Sequence, residues 1–124
     1  MIERAELRRV EKPWGFELRW AVTERYLGKI LHINQGQALS LQYHRAKDET
    51  ILVTSGLLDL ELNGTLHRLG PGDCVRIQPL TRHRMTAVEE CEIFEVSTPE
   101  IDDVVRIEDR YGRVEAGLDT MDPA

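Results

Sequence analysis

The chain has 124 residues, a formal net charge of −6, 41% hydrophobic residues and 31% charged ones. That balance is ordinary for a folded domain and too apolar for a disordered one. An acidic chain of this kind has no overall attraction to nucleic acid or anionic membranes, although a local arginine cluster can still hold a phosphate. The opening residues MIERAELRRVEK are charged throughout, and no run approaches the roughly 18 apolar residues of a membrane helix. Cys74 and Cys91 stand alone in apolar runs without CxxC spacing, which predicts buried, reduced thiols. These features together predict a cytoplasmic protein with residues 1–124 forming one domain.

Taken in chain order, the elements read as strands. Residues 1–12 are expected to form an edge arm. Residues 16–20 alternate polar and apolar side chains, as do residues 29–33. Residues 38–44 place Leu39, Leu41 and Tyr43 on one face and Ser40, Gln42 and His44 on the other. Residues 51–54 are β-branched and apolar, as in a strand buried on both faces. Leu58, Leu60 and Leu62 alternate with Asp59 and Glu61, then Asn63-Gly64 signals a tight hairpin returning through residues 66–69. The Asn63-Gly64-Thr65 glycosylation pattern is better explained by that turn. Pro71-Gly72-Asp73 is a second turn, and residues 74–77, 83–88 and 92–96 complete the set. A short strand or turn is expected around residues 104–107, followed by a loose tail over residues 114–124. About nine short strands joined by short turns predict an all-β closed barrel or two-sheet jelly roll.

Two glycine-bounded stretches carry the chemistry. The first runs Gly36, Gln42, His44, Glu49, Gly56; the second begins at Gly72 and reaches His83. Their spacing resembles the two motifs of the cupin family, Gly-x5-His-x-His-x3,4-Glu-x6-Gly and Gly-x5-Pro-x-Gly-x2-His-x3-Asn. Gln42 stands where the first histidine is usual. In the second motif Gln78 replaces the proline, Leu80 the glycine and Ala87 the asparagine. Leu80 must therefore adopt a loop conformation that glycine normally allows. The resemblance implies a small double-stranded β-helix, or jelly-roll barrel. Gln42 and His44 are two apart on one strand and point to the same face, Glu49 opens the next strand, and His83 comes from a strand that the barrel brings alongside. This mixed nitrogen and oxygen set suits one divalent ion: zinc first, with manganese, iron(II), cobalt or nickel also fitting. The alternative is a cupin barrel whose site is degraded and empty. His32 and His67 read as hydrogen-bonded structural residues.

The chain further resembles the mannose-6-phosphate isomerase type II cupins, which occur alone or as the C-terminal part of isomerase/mannose-1-phosphate guanylyltransferases. The similarity starts at Lys12-Pro13-Trp14-Gly15 and continues through Lys29-Ile30 and residues 36–44. It resumes at His83-Arg84, at Glu95-Val96 and over residues 105–113, so it spans residues 12–113. It implies a zinc site in which a glutamine is a true ligand. The departures fall near the sugar pocket: the family string Gln-x-His-x-His-Arg-x-Glu-His-Trp has Ala46, Lys47 and Thr50-Ile51 here.

The resemblance implies a sugar-phosphate aldose–ketose isomerase. Such a reaction needs an ion to stabilise charge on adjacent oxygens, a base to move a proton between neighbouring carbons, and cations to hold the phosphate. Arg84, next to a ligand, and Lys29 are candidates for phosphate or pocket contacts. Glu95 or Lys29 is the candidate base, and Arg106 and Arg110 match the family's tail. Two other classes compete, a non-catalytic module binding a sugar or other small ligand and a metal-dependent dioxygenase. A homodimer is expected as well, because Leu39, Leu41 and Tyr43 need cover if they face outward.

Overall fold

The alternation of side chains builds the sheet. In β3 (Leu27–Ile33) Leu27, Lys29, Leu31 and Ile33 are buried while Ile30 and His32 are half-buried. The computed structural model describes residues 1–114, which contain nine strands and no helix. The other strands are β1 (Arg8–Lys12), β2 (Gly15–Val22), β4 (Leu41–Tyr43), β5 (Glu49–Leu62), β6 (Thr65–Leu69), β7 (Cys74–Ile77), β8 (His83–Ser97) and β9 (Val105–Glu108). All pair antiparallel, in the order β1-β2-β3-β8-β4-β9, and β5 lies along β8 and also pairs with β6 and β7. Along β8, residues 91–97 lie between β3 and the start of β5, and His83 pairs with both Leu62 and Gln42. One curled sheet results, the jelly roll that the strand pattern predicts. No helix among the described residues is long and apolar enough to cross a membrane.

Where two strands were expected at residues 51–54 and 58–62, β5 is one strand of 14 residues; β8 likewise joins residues 83–88 and 92–96 into one of 15. The polar breaks at Ser55-Gly56 and Glu89-Glu90 are bulges, not turns. Gly56 has φ +85° there, and a Cβ on it would lie 2.0 Å from the Glu90 carbonyl oxygen. The two strands bend together only because this position has no side chain. The Asn63-Gly64 hairpin forms as expected, with φ of 47° and 86° at its two central residues.

The register separates an apolar end of the interior from a polar one. Leu31, Ile93 and Val53 form one cross-strand row, with Ile33 and Cys91 beyond it. These pack with Trp14, Ile51, Leu58 and Leu60 in the core. The neighbouring row brings Lys29 opposite Glu95, and the next brings Ser97 opposite Glu49.

Three expectations are corrected. Residues 51–54 bury one face only, since Thr54 is exposed. Cys74 is exposed because it lies on the outer side of β7, whereas Cys91 is buried as expected. Leu39 does not face outward but sits in the core at 2% exposure, so it gives no outer face needing cover. β1 pairs only with β2, as an edge arm should. The expected loose tail lies, beyond Val114, outside the described residues.

Candidate metal centre

Glu49 is the first residue of β5 and His83 the first of β8, while His44 follows β4 directly. Their side chains converge at the polar end of the interior. His44 Nε2 lies 3.3 Å and His83 Nε2 3.2 Å from Glu49 Oε1, and the three residues are 1–3% exposed. Each ring has its other nitrogen on a backbone carbonyl: His44 Nδ1 on Asp103 O, and His83 Nδ1 on Thr81 O at 2.9 Å. A carbonyl only accepts, so each Nδ1 carries the hydrogen in the neutral ring and each Nε2 presents a lone pair. Neither buried Nε2 has a hydrogen-bond partner among the described residues. Two nitrogen lone pairs and a carboxylate oxygen pointing into one small space repel one another unless a cation or a proton lies among them. The donor set therefore fits a divalent ion, and the outer hydrogen bonds fix both rings as metal-binding histidines require.

Gln42 adds a fourth polar side chain. Its Cα stands opposite His83 on one side and Arg106 on the other, so these three form one row across β8, β4 and β9. All three are at most 4% exposed. Gln42 Oε1 accepts a hydrogen bond from Ser40 Oγ at 2.8 Å. The loop before His83 is tied to the other histidine by the Leu80 N–H, which donates to His44 O at 2.7 Å. Leu80 takes the glycine-like conformation its position demands, with φ 69°.

A series of buried charges leads away from the site. Lys47 Nζ lies 3.5 Å from Glu49 Oε2 and 3.1 Å from Glu95 Oε2. Lys29 stands opposite Glu95 in the ladder and reaches Glu17 Oε2 at 3.2 Å. Glu17 also contacts Arg19 at 3.0 Å and Lys12 at 3.5 Å. Burial alone pushes the Glu49 carboxyl up, but Lys47 and the two imidazoles more than offset that and hold it well below the usual carboxylate range. Burial and the Glu49 charge raise Glu95. Burial works against the Lys47 ammonium, yet Glu95 and Glu49 raise its pKa. For His83, too, burial opposes the charged form and the Glu49 carboxylate outweighs it.

His44, Glu49 and His83 are thus brought together, with Gln42 in the row of His83, Glu95 two ion-pair contacts further in through Lys47, and Lys29 opposite Glu95 in the ladder. Arg84 is not brought in: it alternates with the buried His83 and Met85, and its Nη2 donates to Glu108 O at 3.2 Å. Arg110 likewise donates away from the site, to Gly36 O. Sequence reasoning missed Lys47 and Asp103. Lys47 was visible as a basic residue two before a ligand; nothing local marked Asp103.

Residues 29–97 match the family model of the cupin domain. The chain is a cupin. It is 34% identical over 112 residues to the mannose-1-phosphate guanylyltransferase ManC of Salmonella typhimurium, a match covering 86% of this chain and 23% of that protein. The cupin therefore spans less than a quarter of the length of that relative. Among solved structures, Streptomyces PAC13 with uridine superposes with a TM-score of 0.75 at 16% identity, covering 87% of this chain and 92% of that one. KdgF from Halomonas sp. gives 0.68 at 20% identity, with 80% and 94% covered. At these identities the two structures show the fold alone.

Proposed function

We propose that this cupin is a metal-dependent aldose–ketose isomerase acting on a sugar phosphate, of the mannose-6-phosphate isomerase kind. The observation that carries the reading is the pair of buried, unpartnered Nε2 atoms facing one Glu49 oxygen. His44, Glu49 and His83 would hold the ion, zinc first, with Gln42 as fourth donor. When bound, the ion supplies a positive charge that stabilises negative charge developing on adjacent sugar oxygens. Glu95 is assigned as the group that moves a proton between neighbouring carbons. Its raised pKa makes it a stronger base than an ordinary carboxylate. Lys29 holds the facing position, and Arg106, in the row of Gln42 and His83, takes over from Arg84 as the arginine assigned to the phosphate. The relative named for mannose 1-phosphate supports a sugar phosphate as the substrate class.

The test is a coupled assay for fructose 6-phosphate from mannose 6-phosphate, with zinc-loaded protein and with His83→Ala. Turnover that disappears in His83→Ala supports the reading. Stoichiometric metal binding without isomerisation of any sugar phosphate tried overturns it. The burial of all three donors favours a second reading, a non-catalytic sugar-binding module. Thermal stabilisation by a sugar phosphate without turnover would select that one. A homodimer is proposed as well, now on Trp20, Val22, Tyr26 and Val96, which are 43–58% exposed. A strict monomer by light scattering at high concentration removes it.

A further inference from the structure

Two of the three clustered donors, His44 and Glu49, bracket a loop of four residues, 45–48, that belongs to no strand. Arg45 and Ala46 are exposed, but Lys47 is buried and Asp48 half-buried, and a buried N–H group must find an acceptor. Here every one of the four finds its acceptor in the segment after β8. The Asp103 carboxylate takes three of them: Arg45 N–H at 3.0 Å through Oδ1, and Ala46 and Lys47 N–H at 2.8 and 2.9 Å through Oδ2. The fourth, Asp48 N–H, donates to Thr98 Oγ1 at 3.0 Å, and Thr98 N–H returns a bond to Asp48 O at 3.0 Å. The same Asp103 supplies the carbonyl that fixes the tautomer of His44. Residues 98–104 thus form a strap around the loop, and one carboxylate sets the backbone path between two ligands.

We propose that Asp103 is a positioning residue for the metal centre, holding His44 and Glu49 in ligating geometry through the amides of residues 45–47. Its side chain acts on the backbone N–H groups that lie between the donors. Its action is to fix the chord between them, and with it the direction from which Lys47 reaches Glu49 Oε2. Linkage makes the effect reciprocal: an ion that binds the ordered loop also orders the loop and the strap. The inference rests on the metal-site reading above.

The experiment uses the full chain, stripped of metal and titrated with cobalt(II) by calorimetry and by its visible absorption, in wild type, Asp103→Ala and Asp103→Asn. Asp103→Ala is expected to weaken cobalt binding by roughly 10–100-fold, as loss of an outer-sphere support typically does, and to alter the visible band. Asp103→Asn keeps one side-chain acceptor oxygen and is expected to fall between the two. Cobalt affinity and spectrum equal to wild type in both variants, even with a lowered metal-free melting temperature, would overturn the proposal and leave Asp103 a merely structural residue. If Asp103→Ala fails to fold, hydrogen exchange in the wild type decides: the amides of residues 45–47 must exchange at least about tenfold more slowly with cobalt than without, and equal rates overturn it. A wild type that binds no cobalt overturns the metal site itself, an outcome distinct from bound metal with an indifferent Asp103.

Discussion

Replacing Lys47 with methionine removes a cation that touches both Glu49 and Glu95. The ammonium is 4% exposed and lies 3.5 and 3.1 Å from the two carboxylates. Methionine fills a similar volume, so the perturbation is mainly electrostatic. Removing one partner of a buried ion pair typically costs about 3–5 kcal/mol, because the charge left behind is uncompensated. For a domain of this size that corresponds to a fall in melting temperature of roughly 10–20 °C. The cost depends on pH in a definite direction. Glu95 is already raised by burial and by Glu49, and it loses its closest cation in the variant. A carboxyl whose folded pKa lies above its unfolded value of about 4.3 loses stability as pH rises from the unfolded pKa through the folded one. The Glu49 part of the deficit persists at pH 5, because that carboxylate stays ionised, whereas the Glu95 part grows with pH, so the deficit of Lys47→Met relative to wild type should be smaller near pH 5 than near pH 8. Denaturant unfolding of metal-free protein at the two pH values measures this. A deficit below about 1 kcal/mol at pH 8, or one that grows on acidification, would refute the reasoning.

Gly56→Ala should destabilise by about 3 kcal/mol or more, since a left-handed φ is compounded by a Cβ 2.0 Å from backbone. Gly64→Ala, also at positive φ but in open space, should cost only about 1–2 kcal/mol; equal losses in denaturant melts would contradict the close-approach argument. Leu80→Gly removes the left-handed strain of a side chain that is 66% exposed and adds unfolded-state entropy, so stability should stay level or rise by up to about 1 kcal/mol. A loss above about 1 kcal/mol by calorimetry would show that the leucine packs usefully. At Asp109, burial pushes the carboxyl up, but the Arg113 guanidinium, at 2.9 Å through two nitrogens, and the Arg113 N–H outweigh it and depress the pKa. A depressed carboxylate contributes stability above its unfolded pKa of about 3.9 and loses it as pH falls through the folded value. Arg113→Ala should cost about 1 kcal/mol at neutral pH and converge on wild type in acid. A gap that stays constant from pH 7 to pH 2.5 would count against that pair.

The sequence by itself determined the strands and the spacing of the donors. Alternation within β2, β3 and β5, the Asn63-Gly64 turn, and two positions between Gln42 and His44 are local facts, because a strand's side chains have period two. The left-handed Leu80 was legible from the motif resemblance, as an ordinary residue in a glycine's place. Only the tertiary structure decided that Ser55-Gly56 and Glu89-Glu90 are bulges in continuous strands, since a bulge and a turn share the same polar signal until the partner strand is known. It likewise decided that Lys47 is buried between Glu49 and Glu95, and that Asp103 meets the amides of residues 45–47 from 56 to 58 positions away. Arg84 shows the converse, for adjacency to His83 in the chain puts it on the opposite face of the strand. Ligand spacing lies along the chain, whereas charge pairing and loop support depend on which segments the curled sheet closes against one another.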